Sequence, residues 1–444
     1  MFVQRCINEN CASEFALDER IYVCARCGDL LAIEEVGTHD REVASLRARW
    51  RERLQSHDVR DRSGVWRFRE LLPFANDVAV VSLGEGNTPL YDAPRCADYC
   101  GVASLKLKHQ GNNPTGSFKD TGMTVAVTQA RQLGMRLVAC ASTGNTAASL
   151  AAYAARARMN CAILVPDGQV SEAKLAQALD YGARVLEIEG NFDTCMRAIQ
   201  ELAAESSLYL VNSINPFRIE GQKTVAFELA EQLDWEVPDH VVVPGGNLGN
   251  SSALGKGFRE LFSRGFTAKQ PRISVIQAAG AAPFARFVHA PRDRDESSLD
   301  FVNEKHPQTL ASAIKIGAPV SWKKAWRAVR ETNGYVITVT EQEIADAKAM
   351  IGRDGVGCEP ASATTVAGIR NLVRDGLIKK DETVVAVLTG HLLKDTDYVI
   401  KYHSQTLAAP NDGGETKIRG TFANSITRIA ARPCAIESAL KNLA

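Results

Sequence analysis

Between about residue 80 and residue 400, short runs of apolar and β-branched residues alternate with longer Ala- and Leu-rich segments. The alternation predicts the following pairs: strand 136–140 with helix 146–158, 161–165 with 172–181, 184–188 with 192–205, 240–243 with 251–264, and strand 383–388 after helix 361–374. Strands that alternate with helices indicate βαβ units and parallel, largely buried sheets. About 300 residues of this pattern exceed the usual share of one sheet, so the chain is expected to form two α/β domains.

One segment before this region has helical periodicity. Val43, Leu46, Trp50 and Leu54 are spaced by three and four among arginines and glutamates. This spacing predicts an amphipathic helix over 40–54 whose charged side is a solvated face.

Three further segments lack the alternation. Residues 286–299 and 408–418 are charged or Gly-rich and are expected to be surface loops. The end of the chain is expected to be a tail that finishes in a helix over 435–443.

The composition excludes several classes of protein. The 52 basic and 52 acidic residues cancel, which leaves no broad electrostatic footprint for nucleic acid or an anionic membrane. A hydrophobic fraction of 45% and a charged fraction of 23% are typical of a soluble globular protein. Residues 1–10 do not have the pattern of a secretory signal, and no run approaches the roughly 20 apolar residues of a spanning helix. We therefore expect a cytoplasmic protein with mostly free thiols.

The sequence NNPTGSFKDTGM at 112–123 contains the first candidate catalytic group. Pro114 and Gly116 predict a turn, and a helical segment over 123–133 follows. Lys119 is thereby expected near a helix start, where the positive helix end and burial both lower the pKa of an ammonium. A lysine so placed suits Schiff-base chemistry with a carbonyl cofactor. A solvent-facing lysine in a turn is the alternative.

Two loops between a predicted strand and a predicted helix are candidate anion sites. The sequence STGNT at 142–146 combines hydroxyl and amide side chains with free backbone amides, which suit a carboxylate. The alternative is an N-cap cluster that only starts the helix. In PGGNLGN at 244–250, three glycines let the backbone approach a phosphate, and the missing lysine favours a phosphate that is held and never transferred. A structural turn is the alternative there.

In this order, the three motifs resemble those of the threonine synthases, a family of fold-type II pyridoxal-phosphate enzymes. The segments NSINPFRIEGQKT at 212–224, AIKIGAPVS at 313–321 and LTGHLLK at 388–394 also match. The resemblance runs from about residue 60 to the end of the chain. Further matches to the longer, plant-like branch are SGVW at 63–66, DWEVP at 234–238, YHS at 402–404 and FAN at 422–424.

The resemblance implies a role for each matching residue. Lys119 would bind pyridoxal 5'-phosphate covalently and move protons, Asn145 would bond the ring hydroxyl oxygen, and Thr389 would meet the pyridine nitrogen. The residues implied for the cofactor are Lys119, Asn145, Gly245, Gly246, Asn247, Leu248, Gly249, Asn250 and Thr389. Those implied for the substrate are Ser142, Thr143 and Thr146 for its carboxylate, and Ser213 and Arg218 for its phosphate, with Asn247 or Asn250 assisting.

The implied reaction converts O-phospho-L-homoserine and water to L-threonine and phosphate by γ-elimination and β-addition of water. An Arg fork suits a phosphate dianion, although Arg218 could instead form a surface ion pair with Glu220. The alternative functions are β-replacement on O-phosphoserine, as in cysteate synthase, a dehydratase, and a zinc-ribbon binding module on a catalytically dead scaffold.

Thr121 and Leu392 depart from residues common in the family. His109 and His391 are expected to pack rather than act as bases.

The first 36 residues contain four of the eleven cysteines: Cys6, Cys11, Cys24 and Cys27. The spacing Cys-x4-Cys and Cys-x2-Cys predicts a zinc-ribbon-like site with four sulfur ligands, and four unligated thiols are the alternative.

The chain is expected to divide into five parts. These are residues 1–36 for this ribbon, 37–122 for an N-terminal region with part of the large α/β domain, 123–220 for a small α/β domain, 221–395 for the rest of the large cofactor-binding domain, and 396–444 for a tail. A homodimer is expected from the family only.

Overall fold

The architecture is that of a computed structural model, which describes residues 1–37, 42–168, 172–190, 192–205, 208–290, 301–411, 414–424 and 426–441. Its helices are Val43–Arg53 (α1), Val59–Arg62 (α2), Pro94–Cys100 (α3), Lys119–Gln132 (α4), Asn145–Ala157 (α5), Glu172–Asp180 (α6), Phe192–Glu205 (α7), Pro216–Gln232 (α8), Gly249–Ser263 (α9), Pro283–His289 (α10), Trp322–Glu331 (α11), Glu341–Arg353 (α12), Pro360–Arg374 (α13), Thr396–His403 (α14) and Pro433–Lys441 (α15). Short 3-10 helices cover Trp66–Leu71, Gln110–Asn112, Ala279–Ala281, Ser312–Ile314 and Leu392–Lys394.

In the described ranges, three β-sheets and a hairpin accompany these helices. The strands are Phe2–Cys6 (β1), Glu14–Phe15 (β2), Leu31–Glu35 (β3), Leu90–Asp92 (β4), Ser104–His109 (β5), Leu137–Ala141 (β6), Asn160–Pro166 (β7), Arg184–Ile188 (β8), Leu208–Leu210 (β9), His240–Pro244 (β10), Arg272–Ala278 (β11), Val336–Val339 (β12), Thr383–Leu388 (β13), Ala408–Asn411 (β14) and Gly414–Lys417 (β15).

The largest sheet has six strands in the order β12-β11-β10-β13-β5-β4, and every pairing is parallel except that of β4 with β5. Helices cover both faces, so the central strands are apolar on both sides. In β10, Val241 and Val243 pack toward α8 and α9, whereas Val242 packs toward α13. The loops that follow the strands of this sheet leave from its carboxyl edge, where α/β folds bind their ligands.

The second sheet has four parallel strands in the order β8-β7-β6-β9. Its strands lie between residues 137 and 210, inside the range 123–220 expected for a small α/β domain. The fold class expected from the sequence, two parallel-sheet α/β assemblies of the fold-type II kind, is confirmed. The boundaries proposed for the individual domains stay predictions.

The contact between α4 and α8 depends on two glycines. A Cβ on Gly221 would overlap the carbonyl oxygen of Thr121, and one on Gly122 would lie 2.7 Å from the carbonyl oxygen of Arg218. Without side chains at these positions the two helices touch through their backbones. The close approach places the start of α4 beside the start of α8.

The N-terminal segment forms a small antiparallel sheet in the order β2-β1-β3. The helix predicted over 40–54 is described from residue 43, as α1, and residues 40 and 41 lie outside the described part of the chain. Trp50 is fully buried and stacks on Phe266 with ring centroids 5.0 Å apart. The expectation of a wholly solvated charged side is wrong, because Arg53 is largely buried and pairs with Glu70 at 2.5 Å.

The predicted loops were only partly correct. Segment 408–418 is a β-hairpin, with β14 paired antiparallel to β15. Local composition misses this pairing because strand pairing depends on the partner strand as well as on the residues themselves. In segment 286–299, Arg286 to His289 belong to α10, and residues 291–299 lie outside the described residues. The terminal helix is described over Pro433–Lys441. Among the described helices, none is both long and apolar enough to cross a membrane.

Candidate active site

Lys119 is the first residue of α4. Loops from both parallel sheets contact each other nearby, because Asn145, after β6, and Thr389, after β13, both donate hydrogen bonds to Glu359. The turn before Lys119 is tied to the end of β13, because the Phe118 N–H donates to the carbonyl oxygen of Thr389 at 2.9 Å. Burial of the ammonium, with the nearby Arg218 guanidinium, lowers the pKa of Lys119 to about 7, and the Glu359 charge opposes this shift. A pKa near neutrality leaves part of this amine unprotonated at pH 7, as a nucleophile or base requires. The lowered pKa predicted from the sequence is confirmed.

The carboxyl group of Asp120 stabilises the turn that presents Lys119. It accepts hydrogen bonds from the Thr115 N–H and the Thr115 hydroxyl, both at 2.7 Å, and from the Ser149 hydroxyl at 2.5 Å. Burial raises the pKa of Asp120 to about 6 despite these bonds. In the same turn, the buried hydroxyl of Ser117 has no hydrogen-bond partner among the described residues, so it is free to bond a ligand.

Glu359 joins two of the residues expected to bind the cofactor. The Asn145 amide donates to Oε2 at 3.0 Å, and the Thr389 hydroxyl donates to Oε1 at 3.1 Å. Burial raises the pKa of the Glu359 carboxyl, while these bonds and the Lys119 charge act in the opposite direction. Sequence reasoning missed this residue. Its only signal was a lone acidic residue before Pro360, at the start of an apolar helical segment.

Loop 142–146 starts α5 and is half-buried at the carboxyl edge of the smaller sheet. Its entry is held by Asn212, whose side-chain amide exchanges two hydrogen bonds with the backbone of Ala141, at 3.0 and 2.9 Å. Ser142 accepts a bond from the Gly144 N–H within the loop. Gly144 is the N-cap of α5 but has no capping side chain. The first amides of this helix therefore lack intrahelical acceptors and are available to a carboxylate.

The Gly-rich loop 245–249 connects β10 to α9. A Cβ on Gly245 would lie 2.7 Å from Val275 Cγ1, and one on Gly246 would lie 3.1 Å from Ile314 Cγ2, so larger residues do not fit. Leu248 is left-handed with φ of 64°, which turns successive amides toward one side. Unpartnered polar atoms lie nearby, because the buried Asn250 Nδ2 and Ser321 Oγ have no partner within the described parts of the chain.

Arg218 lies in the first turn of α8 and is 3% exposed. Its Nη1 donates to the carbonyl oxygen of Val211 at 3.3 Å, and its Nε has no partner among the residues that the structure covers. Burial lowers the pKa of the guanidinium to about 10. The guanidinium stays charged at neutral pH, and a buried charge of this kind requires an anionic partner.

The ion pair with Glu220 considered from the sequence is not formed. Glu220 instead pairs with Lys223 at 2.6 Å and with Lys256 at 2.9 Å. Arg218 points to the opposite side of α8, toward Val211 at the end of β9.

Ser213 and Asn247 join the two sheets at the same edge. The Asn247 amide donates to the Ser213 hydroxyl at 2.8 Å, and its Oδ1 accepts from the Val320 N–H at 2.7 Å. Asn247 belongs to the Gly-rich loop, whereas Ser213 belongs to the connection that follows β9. The segments predicted for a cofactor phosphate and a substrate phosphate are therefore adjacent.

The two departures from common family residues have structural roles. Thr121 is buried and its hydroxyl donates to the carbonyl oxygen of Phe118 at 2.9 Å, inside the first turn of α4. Leu392 packs against Gly357, where a Cβ would lie 2.8 Å from Leu392 Cβ.

The two histidines near the motifs accept hydrogen bonds from the backbone. His109 accepts from the Gly111 N–H at 3.0 Å, and His391 accepts from the Leu393 N–H at 3.2 Å.

The four N-terminal cysteines converge on one point. The Sγ atoms of Cys6 and Cys27 are 3.4 Å apart, those of Cys11 and Cys24 are 3.7 Å apart, and all four lie within 4.8 Å of one another. Four sulfurs bound to one Zn²⁺ at about 2.3 Å in a tetrahedron lie about 3.8 Å apart. The spacing of the thiols therefore suits a closed four-sulfur metal site.

The cleft also suits pyridoxal phosphate. A lysine with a lowered pKa, an amide, a buried hydroxyl at the end of β13 and a glycine cradle all lie at the carboxyl ends of strands from the two parallel sheets. The buried polar atoms without partners there, Ser117 Oγ and Asn250 Nδ2, are the groups that such a cofactor would satisfy.

Comparison with known proteins gives consistent results. The family model described as "Pyridoxal-phosphate dependent enzyme" matches residues 81–390. A protein named threonine synthase from Methanocaldococcus jannaschii is 46% identical over 404 residues, which cover 90% of this chain and 94% of that protein. The threonine synthase of Methanosarcina acetivorans is 45% identical, over 90% of this chain and 94% of its own length. That of Synechocystis is 44% identical, over 78% and 87%.

Solved structures share the fold at lower identity. The processed threonine deaminase isoform 2 of Solanum lycopersicum superposes with a TM-score of 0.59 at 20% identity, over 84% of this chain and 96% of that chain. The L-serine ammonia-lyase of Rhizomucor miehei gives a TM-score of 0.59 at 20% identity, over 73% of this chain and 99% of that chain. At these identities the likeness concerns the fold alone.

Proposed function

The chain belongs to the pyridoxal-phosphate dependent enzymes and, within them, to the threonine synthases, and from this premise we propose how its cleft acts. The chain is a lyase that converts O-phospho-L-homoserine and water to L-threonine and phosphate. The observation that carries the substrate assignment is Arg218, a buried guanidinium whose Nε has no described partner, next to the Ser213 and Asn247 pair. A dehydratase substrate with a hydroxyl leaving group would leave this charge without an anion.

The proposed cofactor site consists of Lys119, Asn145, the loop 245–250 and Thr389. Lys119 Nζ would hold the cofactor, the amides of the glycine cradle would hold its phosphate, and Asn145 and Thr389 would orient its ring. Glu359 fixes the side chains of both ring partners through its two oxygens. When bound, pyridoxal phosphate supplies an electron-withdrawing ring that acidifies the α-carbon of an amino acid.

The residues of the chain would then perform the remaining steps. Ser142, Thr143 and Thr146 at the start of α5 orient the substrate carboxylate. Lys119 Nζ, with its pKa near 7, removes the α-proton and then carries a proton at the β-carbon.

On the other side of the substrate, the Arg218 guanidinium and Ser213 hold the γ-phosphate as it leaves, with Asn247 or Asn250 assisting. Because water must add only at the end, we also propose that the two sheets close over the substrate. Lys394 supports this idea, since it donates a hydrogen bond to Gln177 of α6 across the cleft.

Turnover and product identity test the proposal. The enzyme loaded with pyridoxal phosphate should release phosphate from O-phospho-L-homoserine and form L-threonine. It should not exchange the phosphate of O-phospho-L-serine for sulfite, the reaction expected of a cysteate synthase. Lys119→Ala should lose both the visible absorbance of the bound cofactor and the activity, and retained turnover in that variant would contradict the assignment.

We also propose that Cys6, Cys11, Cys24 and Cys27 bind a structural Zn²⁺. Sγ separations of 3.4 and 3.7 Å within the cluster support a closed tetrahedral site. Four thiolates leave no open position for water, so the role is structural. Metal analysis of protein purified without chelator should find about one zinc per chain, and folded protein without zinc would contradict the proposal.

The assembly and compartment are proposals as well. We propose a homodimer that works in the cytoplasm, where the seven remaining cysteines stay reduced. Six of these seven are buried, and Cys434 is exposed. Sedimentation of the active enzyme at micromolar concentration tests the assembly, because an active monomer would contradict it.

A further inference from the structure

The cysteine ribbon contacts the strand that leads into the substrate-phosphate segment. Strand β9 is an edge strand of the smaller sheet, and only one of its edges pairs with another strand, β6. The backbone groups on the outer edge of such a strand need partners from elsewhere. Two of those partners come from the ribbon. The Leu210 N–H donates to the Tyr22 hydroxyl at 2.7 Å, and Arg20 Nη1 donates to the carbonyl oxygen of Leu208 at 3.5 Å.

The contact between Tyr22 and β9 is well packed. The ring of Tyr22 lies edge-on to that of Tyr209, with centroids 5.9 Å apart. On the ribbon side, Tyr22 lies two residues before Cys24, one of the four clustered cysteines.

The residues after Leu210 connect strand β9 to Arg218 through hydrogen bonds. Asn215 Nδ2 donates to the Leu210 carbonyl oxygen at 2.9 Å, and Asn215 also caps α8 by accepting from the Phe217 N–H. Arg218 lies one turn further and donates to the Val211 carbonyl oxygen at 3.3 Å. Two hydrogen bonds therefore connect the ribbon to the Arg218 guanidinium. The first joins Tyr22 to the Leu210 amide, and the second joins Arg218 to the carbonyl oxygen of the next residue, Val211.

The opposite side of the ribbon is anchored to the body that carries the glycine cradle. Strand β3 is the edge of its small sheet, and buried lysines satisfy its free carbonyls. Lys256 of α9 donates to Ile33, and Lys324 of α11 donates to Leu31 at 2.6 Å. Arg264, just after α9, pairs with Glu35 at 2.7 Å. Because α9 begins at the glycine cradle, the ribbon contacts both the helix that follows the proposed cofactor-phosphate site and the strand that precedes the proposed substrate-phosphate site.

We propose that the cysteine ribbon is a positioning element for the substrate-phosphate site, acting through Tyr22 on Leu210 and from there on Arg218. The inference rests on the proposed function, because it concerns the affinity for the phosphate that Arg218 holds. Removal of the Tyr22 hydroxyl leaves the Leu210 amide without its acceptor and loosens the connection 211–215. The proposal predicts a loss of phosphate affinity with little change in cofactor binding or in the chemical step.

The test compares Tyr22→Phe and Arg20→Gln with Glu14→Gln, a ribbon variant whose exposed partner is Arg5 on the same small sheet. Calorimetry with inorganic phosphate on the cofactor-loaded enzymes should show about 3- to 10-fold weaker binding in Tyr22→Phe, and weaker binding in Arg20→Gln, but unchanged binding in Glu14→Gln. The KM for O-phospho-L-homoserine should rise with the phosphate dissociation constant, while kcat and the cofactor absorbance stay within about twofold. Hydrogen exchange of the backbone amides of 208–215 should be faster in Tyr22→Phe, which binds phosphate more weakly, than in Glu14→Gln, which binds it normally.

Unchanged phosphate affinity in both Tyr22→Phe and Arg20→Gln overturns the inference, as does an equal loss in Glu14→Gln. A fall in kcat or in cofactor absorbance with phosphate affinity unchanged also overturns it. Failure of the wild-type enzyme to form threonine would instead refute the proposed function, and the phosphate titrations do not depend on that reaction.

Discussion

Asn145 and Thr389 share one carboxyl group, because each donates a hydrogen bond to a different oxygen of Glu359, at 3.0 and 3.1 Å. Asn145 starts a helix of the smaller assembly, and Thr389 ends a strand of the larger one. Glu359 thereby joins the two assemblies at the base of the cleft, and its charge acts on Lys119. The two side chains proposed to orient the cofactor ring are held in one geometry by a residue that neither motif contains.

Glu359→Gln should reduce kcat by about 10- to 100-fold, because the amide keeps the volume but cannot accept both hydrogen bonds with equal strength. Loss of the carboxylate should also lower the pKa of Lys119 further, since the Glu359 charge raises it. The pH dependence of amine labelling in the cofactor-free enzyme measures this shift. Glu341→Gln, at a carboxyl of raised pKa in α12, is the matched control. An upward shift for Lys119 would contradict the assignment.

Arg218→Gln should raise the KM for O-phospho-L-homoserine by about 100-fold, because a buried guanidinium contributes roughly 3 kcal/mol to a phosphate contact. The same change removes a positive charge near Lys119, so the pKa of Lys119 should rise above 7. Steady-state kinetics and amine labelling measure the two effects. Arg259→Gln, at a more exposed arginine of α9 that pairs with Glu331, should alter neither. A normal KM in Arg218→Gln would exclude this residue from the phosphate site.

The contribution of Lys119 should make the cofactor-free enzyme more stable at pH 9.5 than at pH 6.5. The pKa of Lys119 is about 7 in the fold and about 10.4 in an unfolded chain, so between these values the unfolded chain binds an additional proton. Stability therefore rises with pH through this window. Because the residue keeps some contact with solvent, which screens part of the effect, the gain is about 1–2 kcal/mol, below that of the full shift. Urea unfolding of wild type and Lys119→Met measures it, and parallel pH profiles would contradict the expectation.

Gly221→Ala should destabilise the fold by about 3 kcal/mol and reduce activity, because the new Cβ overlaps the Thr121 carbonyl oxygen and separates α4 from α8. Gly352→Ala is the control, since no atom lies within 4 Å of its Cβ position in α12. Alanine should stabilise that helix by up to about 1 kcal/mol. Thermal unfolding of both variants measures the difference in stability between them. Equal changes in stability for Gly221→Ala and Gly352→Ala would contradict the prediction.

Cys27→Ser should lose the bound zinc and lower the free energy of unfolding by several kcal/mol, because three thiolates hold Zn²⁺ less tightly than four. Cys434→Ser, at the other exposed cysteine, should keep both zinc and stability. Metal content and denaturation of the two variants provide the measurement. Full zinc occupancy in Cys27→Ser would show that the ribbon does not use this thiol.

Much of the fold follows from local pattern. The strand predicted at 184–188 and the helix at 192–205 have those bounds in the structure, since period and residue type are local properties. The hairpin at 408–417 was missed because each strand forms only against the other. Glu359 was missed for a related reason. Its chemistry depends on burial and on two partners more than 25 residues away along the chain.

By itself, the sequence determined the α/β class, the three loops that carry Lys119, Asn145 and the glycine cradle, and the four clustered cysteines. These features depend on hydrophobic period, turn residues and spacing, which neighbouring residues specify. Only the tertiary structure decided that Arg218 has no carboxylate partner among the described residues, that Glu359 joins Asn145 to Thr389, and that Tyr22 bonds β9. Those relationships depend on which backbone and side-chain groups are buried together, and burial sets both the pKa of a charge and the cost of leaving a polar atom unpaired.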